Sequence, residues 1–171
     1  YLVVPKVNSA QDAHDAVERI NRLATPLGRS SLPVHVLIES HGSLTDVHAI
    51  AALPQVECLS FGVMDFVSEH YGAIPGDAMR SPGQFSHPLV TRAKIEIAAA
   101  CHAHGKTPSH NVTTEIRDLS VVANDAHLAA TQFGYTRMWS IHPEQIRPIL
   151  QAFSPKLDEV NDAAAILFWM N

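Results

Sequence analysis

Along the chain, short apolar runs alternate with longer stretches in which apolar residues recur every three or four positions. Residues 34–38 (VHVLI) are apolar and β-branched, which predicts a strand buried on both faces, as in parallel sheets. Similar runs at 2–4 (LVV), 57–61 (ECLSF) and 137–141 (RMWSI), with a weaker one at 111–116 (NVTTEI), bring the expected strands to five. Between them, Ala13, Val17, Ile20 and Ala24 mark a helix over about 10–24 capped by Ser9. Leu89, Val90, Ala93, Ile97 and Ala100 mark another over 89–104, closed by Gly105. After a loop HGSLT, Thr45 or Ser43 caps a short helix through Leu53, and Asp118 caps one over 119–133. Pro148 predicts a broken turn at 143–147 before the next helix, and Ser154 with Pro155 opens a last helix reaching about 170. Gly72, Pro75, Gly76, Pro82, Gly83 and Pro88 crowd residues 70–88, which predicts a long surface loop of the kind that covers or contacts a site.

Strands alternating with helices, without a hairpin signal, predict an α/β fold with a parallel sheet and helices outside it. Five such units are too few to close an eight-stranded barrel, so either the sheet is open or the first units lie elsewhere. At 171 residues and 46% hydrophobic, the chain can build one core, and a single domain is expected. A formal charge of −5 without any Lys/Arg run argues against non-specific nucleic-acid binding. Two cysteines, Cys58 and Cys101, in strand and helix contexts argue against a disulfide framework and for a cytoplasmic address. No apolar stretch reaches the roughly 18 residues of a membrane span. The chain opens directly in a strand-like run and stops in an apolar helix, which reads as a piece of something longer.

Ligand sites in parallel α/β folds lie at the carboxyl ends of the strands. Glu39 stands at the end of the 34–38 strand, and Asp65 follows the 57–61 strand by a few residues, so adjacent strands would bring these acids together. Paired carboxylates with oxygen-only company suit Mg²⁺ or Mn²⁺ better than zinc; solvated acids capping turns are the plainer alternative. Lys6, at the exit of the first strand, could anchor a carboxylate or form a Schiff base, against a plain solvated lysine. Eleven histidines invite zinc, but His14, His48 and His127 fall in helices, His102 and His104 suit a helix C-terminus, and no third ligand stands at zinc spacing. His142 is the best placed of them and reads as a structural histidine. Neither a nucleophile elbow nor a glycine-rich nucleotide motif occurs.

Taken in order, VVPKV, LIES (37–40), FGVMD (61–65), the Arg92 helix running into AAACHAHG, GYTRMWSIHPEQI (134–146) and FSP before the last helix resemble the HpcH/HpaI aldolase and citrate lyase beta subunit-like family. The resemblance runs from the first residues to about Ile166. It implies a (β/α)₈ TIM barrel of which this chain carries roughly strands four to eight, as part of one catalytic domain whose first βα units are missing. It implies a Mg²⁺-dependent carbon–carbon lyase, cleaving a hydroxy-acid or acyl-CoA adduct to an oxo-acid and an acetate-type or acyl-CoA product. Glu39 and Asp65 match the family's metal ligands. The Gly62, Val63 and Met64 backbone matches the turn that holds a substrate carboxylate, with Lys6 beside it. The family's substrate-binding arginine lies upstream, so no catalytic residue is assigned. Arg137 and Met138 stand where members commonly have Gly-Lys, and Asn111 where they have Asp, which bears on the substrate and the coenzyme A contact. A small-molecule oxo-acid or acyl-CoA partner and a homo-oligomer are expected. The rivals are a Lys6 Schiff-base aldolase and a barrel subunit that binds an oxo-acid without turning it over.

Overall fold

The computed structural model describes residues 1–29 and 31–169. Strands β1 (Leu2–Val4), β2 (Val34–Ile38), β3 (Val56–Phe61), β4 (Thr107–His110) and β5 (Arg137–Met138) lie side by side in chain order, every neighbouring pair parallel. A doubly wound sheet would reverse its strand order part-way; unbroken order is the layout of consecutive units of a (β/α)₈ barrel, here five of the eight. The strands are linked by α1 (Ala10–Ala24), by α2 (His41–Thr45) with α3 (Val47–Ala51), by α4 (Val63–Ser68) with α5 (Pro88–Ala103), and by α6 (Leu119–Gln132). After β5 come α7 (Ile146–Phe153) and α8 (Leu157–Trp169).

Side-chain alternation divides the sheet into two unlike faces. Val34, Val36 and Ile38 of β2 join Leu59 and Phe61 of β3 in one buried cluster with Val17 of α1, Ile50 of α3 and Ile97 of α5. At about 25 cal/mol per Å² of apolar surface, this helix-facing side supplies most of the folding drive. The opposite face carries His35, Cys58, Ser60 and Ser109, with Leu37 towards the rim, a largely polar lining for what would be a barrel interior. No helix among the described residues is long and apolar enough to cross a membrane, and α8 buries none of its residues.

Ser9 and Asp118 cap α1 and α6 as expected, accepting from the Asp12 and Ser120 amides. Several expectations are corrected. HGSLT is helical: Ser40 caps it, and its hydroxyl and that of Ser43 each accept the other's amide, a reciprocal capping box that leaves neither Ser43 nor Thr45 to start the helix. The fourth strand lies at 107–110 instead of 111–116, and the fifth is only Arg137–Met138. Pro148 sits in the first turn of a helix that starts at Ile146, where a missing amide proton costs nothing. Ser154 bonds back to the Leu150 carbonyl, so α8 begins later, at Leu157. Residue 170, the expected end of that helix, is outside the described residues.

Segment 70–88 is no free loop. It contains two short 3-10 turns, buries Ile74 and Ala78, and sends the fully buried Gln84 into a polar cluster. Gln84 donates to Asp125 at 3.0 Å and accepts from Lys94 at 3.1 Å and Asn111 at 2.8 Å. Thr113 and Ser81 also donate to Asp125, and Lys94 donates to Asn111 at 2.5 Å and contacts His110. Burial pulls the Lys94 amine well below its ordinary range, opposed by the Asp125 charge. Gln84→Ala strands several of these groups at once; it is expected to lower unfolding stability by about 2–4 kcal/mol and to speed proteolytic cleavage within 70–88, measured by urea denaturation and limited digestion.

Candidate active site

The carboxyl ends of β1, β2 and β3 converge on one rim. Glu39 continues β2 past Ile38 and is buried, while Asp65 stands in the first turn of α4, directly after β3. Gly62 makes the approach of these elements feasible: a Cβ there would lie 2.6 Å from both Cβ and Oε2 of Glu39, so only glycine lets the carboxylate lie across the chain. Its amide donates to the Ile38 carbonyl at 2.9 Å, which carries the β2–β3 ladder to the rim. Val63 is buried, and Met64 is exposed at the cavity edge.

Lys6 joins the two acids. Its backbone sits at φ 60°, a left-handed conformation that costs a non-glycine residue roughly 1–2 kcal/mol. That twist points its amide at Glu39 Oε1, 2.7 Å away, and its ammonium at Asp65 Oδ2, 2.6 Å away. The Asp65 bond raises the Lys6 pKa, so the amine is held protonated, the opposite of what Schiff-base chemistry asks of a lysine. Glu39 is pushed up in pKa by burial first, with the Asp65 charge adding to the shift and the Lys6 amide and charge opposing it.

Glu39 and Asp65 border two cavities of unlike character. One, of about 320 Å³, is polar, with Lys6, Asn8, Ser40, Ser68 and Glu69 among its walls. The other, of about 220 Å³, is bounded chiefly by Leu37, Phe61, Val63, Met64, Val112 and Trp139, with Asn111 at its side. The polar cavity has no cysteine or histidine in its wall, so its donor set suits a hard divalent cation. Among the described residues no three His, Cys, Asp or Glu side chains are grouped to hold a metal. Two carboxylates are enough for Mg²⁺, which keeps waters or takes substrate oxygens in its other positions.

All the residues expected at the site, Lys6, Glu39, Gly62, Val63, Met64 and Asp65, are brought to this rim. Glu69 and Asn8 had not been expected there. Glu69 is four residues after Asp65, hence on the same helix face, a signal available in the sequence; its carboxylate accepts from the His41 amide at 3.2 Å. His142 caps the turn after β5, its Nδ1 accepting from the Glu144 amide, a structural role.

A family model described as HpcH/HpaI aldolase/citrate lyase matches residues 1–143. Among solved structures, a citrate lyase from Burkholderia xenovorans LB400 is 59% identical with a TM-score of 0.94, over 98% of this chain and 53% of that one. The Mycobacterium tuberculosis citrate lyase beta subunit complexed with oxaloacetate and magnesium is 22% identical, TM-score 0.71, over 90% of this chain and 60% of that one. Protein CitE of the same organism, in complex with magnesium, acetoacetate and coenzyme A, is 22% identical, TM-score 0.73, over 96% of this chain and 55% of that one. The last two share the fold. The chain spans about half the length of the Burkholderia protein, and no curated protein matches it.

Glu39→Gln keeps the acceptor for the Lys6 amide and removes a charge that burial disfavours. Because the folded pKa of Glu39 is raised, its ionisation costs the folded state. The variant is therefore expected to have a higher urea midpoint than the parent in metal-free buffer near pH 8, and the gain should vanish below the ordinary value of 4.5. A lower midpoint at pH 8 would mean that the Lys6 charge outweighs the desolvation.

Proposed function

The chain belongs to the HpcH/HpaI aldolase/citrate lyase family, and on that footing we propose that the protein of which it forms part is a Mg²⁺-dependent carbon–carbon lyase. Its substrate is a hydroxy-acid or acyl-CoA adduct, cleaved to an oxo-acid and an acetate-type or acyl-CoA product. The observation that carries the reading is the meeting of Glu39 and Asp65, from the ends of neighbouring strands, across one polar cavity. The magnesium complexes of the Mycobacterium proteins support it.

Breaking the bond between the carbons α and β to a carbonyl leaves an enolate, and its negative charge sets the barrier. A divalent ion, when bound, supplies Lewis-acid stabilisation of that charge. In this proposal Glu39 and Asp65 hold it, with Mn²⁺ as a substitute. Lys6 balances their charge and orients Glu39 through its amide. The amides of Val63 and Met64, in the first turn of α4, precede the turn's first bonded amide, that of Phe66, and are the donors for a substrate carboxylate. Leu37, Phe61 and Trp139 exclude water from the side where the other half of the substrate lies. In this reading the family's substrate-binding arginine belongs to the βα units of the domain that this chain does not carry.

The full-length protein, stripped with a chelator, is expected to lose retro-aldol activity on a panel of hydroxy-acids and acyl-CoA adducts and to regain it with Mg²⁺. Asp65→Ala should lower kcat by about a thousandfold, equivalent to about 4 kcal/mol. Activity that survives chelation, or a covalent adduct trapped on Lys6 by borohydride and substrate, would reject the metal mechanism.

A further inference from the structure

Four charged side chains meet in the polar cavity at the rim: Lys6, Glu39, Asp65 and Glu69. With all of them ionised, three carboxylates and one ammonium leave its walls at −2, the charge that one divalent ion cancels. The pairing inside the cavity is uneven. Lys6 Nζ lies 2.6 Å from Asp65 Oδ2, on one of the two carboxylates proposed to hold the ion. Glu69 accepts from the His41 backbone amide at 3.2 Å and has no ion-pair partner among the described residues.

The two ends of Lys6 differ in freedom. Its backbone is tied down, because its amide donates to Glu39 Oε1 at 2.7 Å and the Val7 carbonyl accepts from Ser40 Oγ at 3.2 Å. The same loop is held further along by the Ala10 amide, which donates to Asp46 Oδ2 at 2.8 Å, and by Gly42, where a Cβ would collide with the Asn8 carbonyl. The ammonium end is loose: the Lys6 side chain is 65% exposed and that of Asp65 50%, and ion pairs so open to water are weak and readily exchanged. Glu69 follows Asp65 by one helical turn, so the two carboxylates are neighbours on one face of α4, and the Glu69 charge already acts on Lys6. An ammonium and a divalent cation on one carboxylate repel each other. Glu69 offers the displaced ammonium a partner of the right sign within the swing of a long, flexible stem.

We infer that Lys6 passes its ammonium from Asp65 to Glu69 when a divalent ion takes Asp65. Glu69 is thereby a positioning residue, acting through Lys6 to leave Asp65 open, and is not a third metal ligand. The inference rests on the metal reading proposed above.

Manganese titration of the full-length protein, followed by the electron paramagnetic resonance of free Mn²⁺, tests it as a double-mutant cycle. Glu69→Gln keeps the acceptor for the His41 amide, and Lys6→Met keeps the amide that holds Glu39. Glu69→Gln is expected to weaken Mn²⁺ binding about tenfold in the parent, but less than about threefold once Lys6→Met has removed the ammonium. A loss as large in the Lys6→Met background as in the parent, or no loss in the parent, overturns the handover and leaves the metal reading intact. Crystals of the Mn²⁺-loaded protein give the direct view: Lys6 Nζ within about 4 Å of a Glu69 carboxylate oxygen supports the inference, and Nζ anywhere else overturns it. A parent protein that binds no Mn²⁺ removes the metal reading itself, and the handover with it.

Discussion

A carboxylate that is taken out of water must be met by something, and Glu39 sets that demand for the whole rim. It is nearly fully buried at the end of β2, and its oxygens are held by a glycine that yields space and a lysine amide that donates. Both accommodations are local sacrifices. Gly62 has no side chain to pack, and Lys6 adopts a backbone conformation that L-residues avoid. Strain of this sort persists where surrounding structure over-determines it, and here β1, β2 and β3 fix the three residues relative to one another.

Behind that rim a second polar system ties the sheet to its covering segment. Lys94, Gln84, Asn111 and Asp125 come from a helix, a turn, a strand end and another helix, and their bonds close on one another. Such a network specifies a geometry more than it adds stability, because every member would be costly alone. Asn111 belongs to it and also stands at the apolar cavity, so the placement of the 70–88 segment reaches the site through buried amides.

Much of this was legible in the chain. The runs at 34–38 and 57–61 announce themselves because their helix-facing residues are aliphatic, and the rule that sites gather at strand ends then singles out Glu39 and Asp65. Strand β4 gives no such sign: its residues are Thr107, Pro108, Ser109 and His110, polar or ring-locked, and their burial depends on partners distant in sequence. The β-branched stretch just after it draws the eye instead. Nothing local to Lys94 or Asp125 reveals that each will be buried among the other's neighbours. The start of α2 lies at Ser40 and not at the expected Thr45 or Ser43 for a related reason, as all three are good caps by residue type and only the mutual bonding of Ser40 and Ser43 decides.

The shared walls of the two rim cavities carry a directional consequence. Glu39 and Asp65 border a wet, acid-rich chamber on one side and a greasy one on the other, so any guest with an ionic head and a hydrocarbon tail can be seated in a single sense. Reversed, its tail would face ammonium and carboxylate while its head lost hydration against Phe61 and Val112. Polarity of entry is thus decided by solvation before any bond is strained.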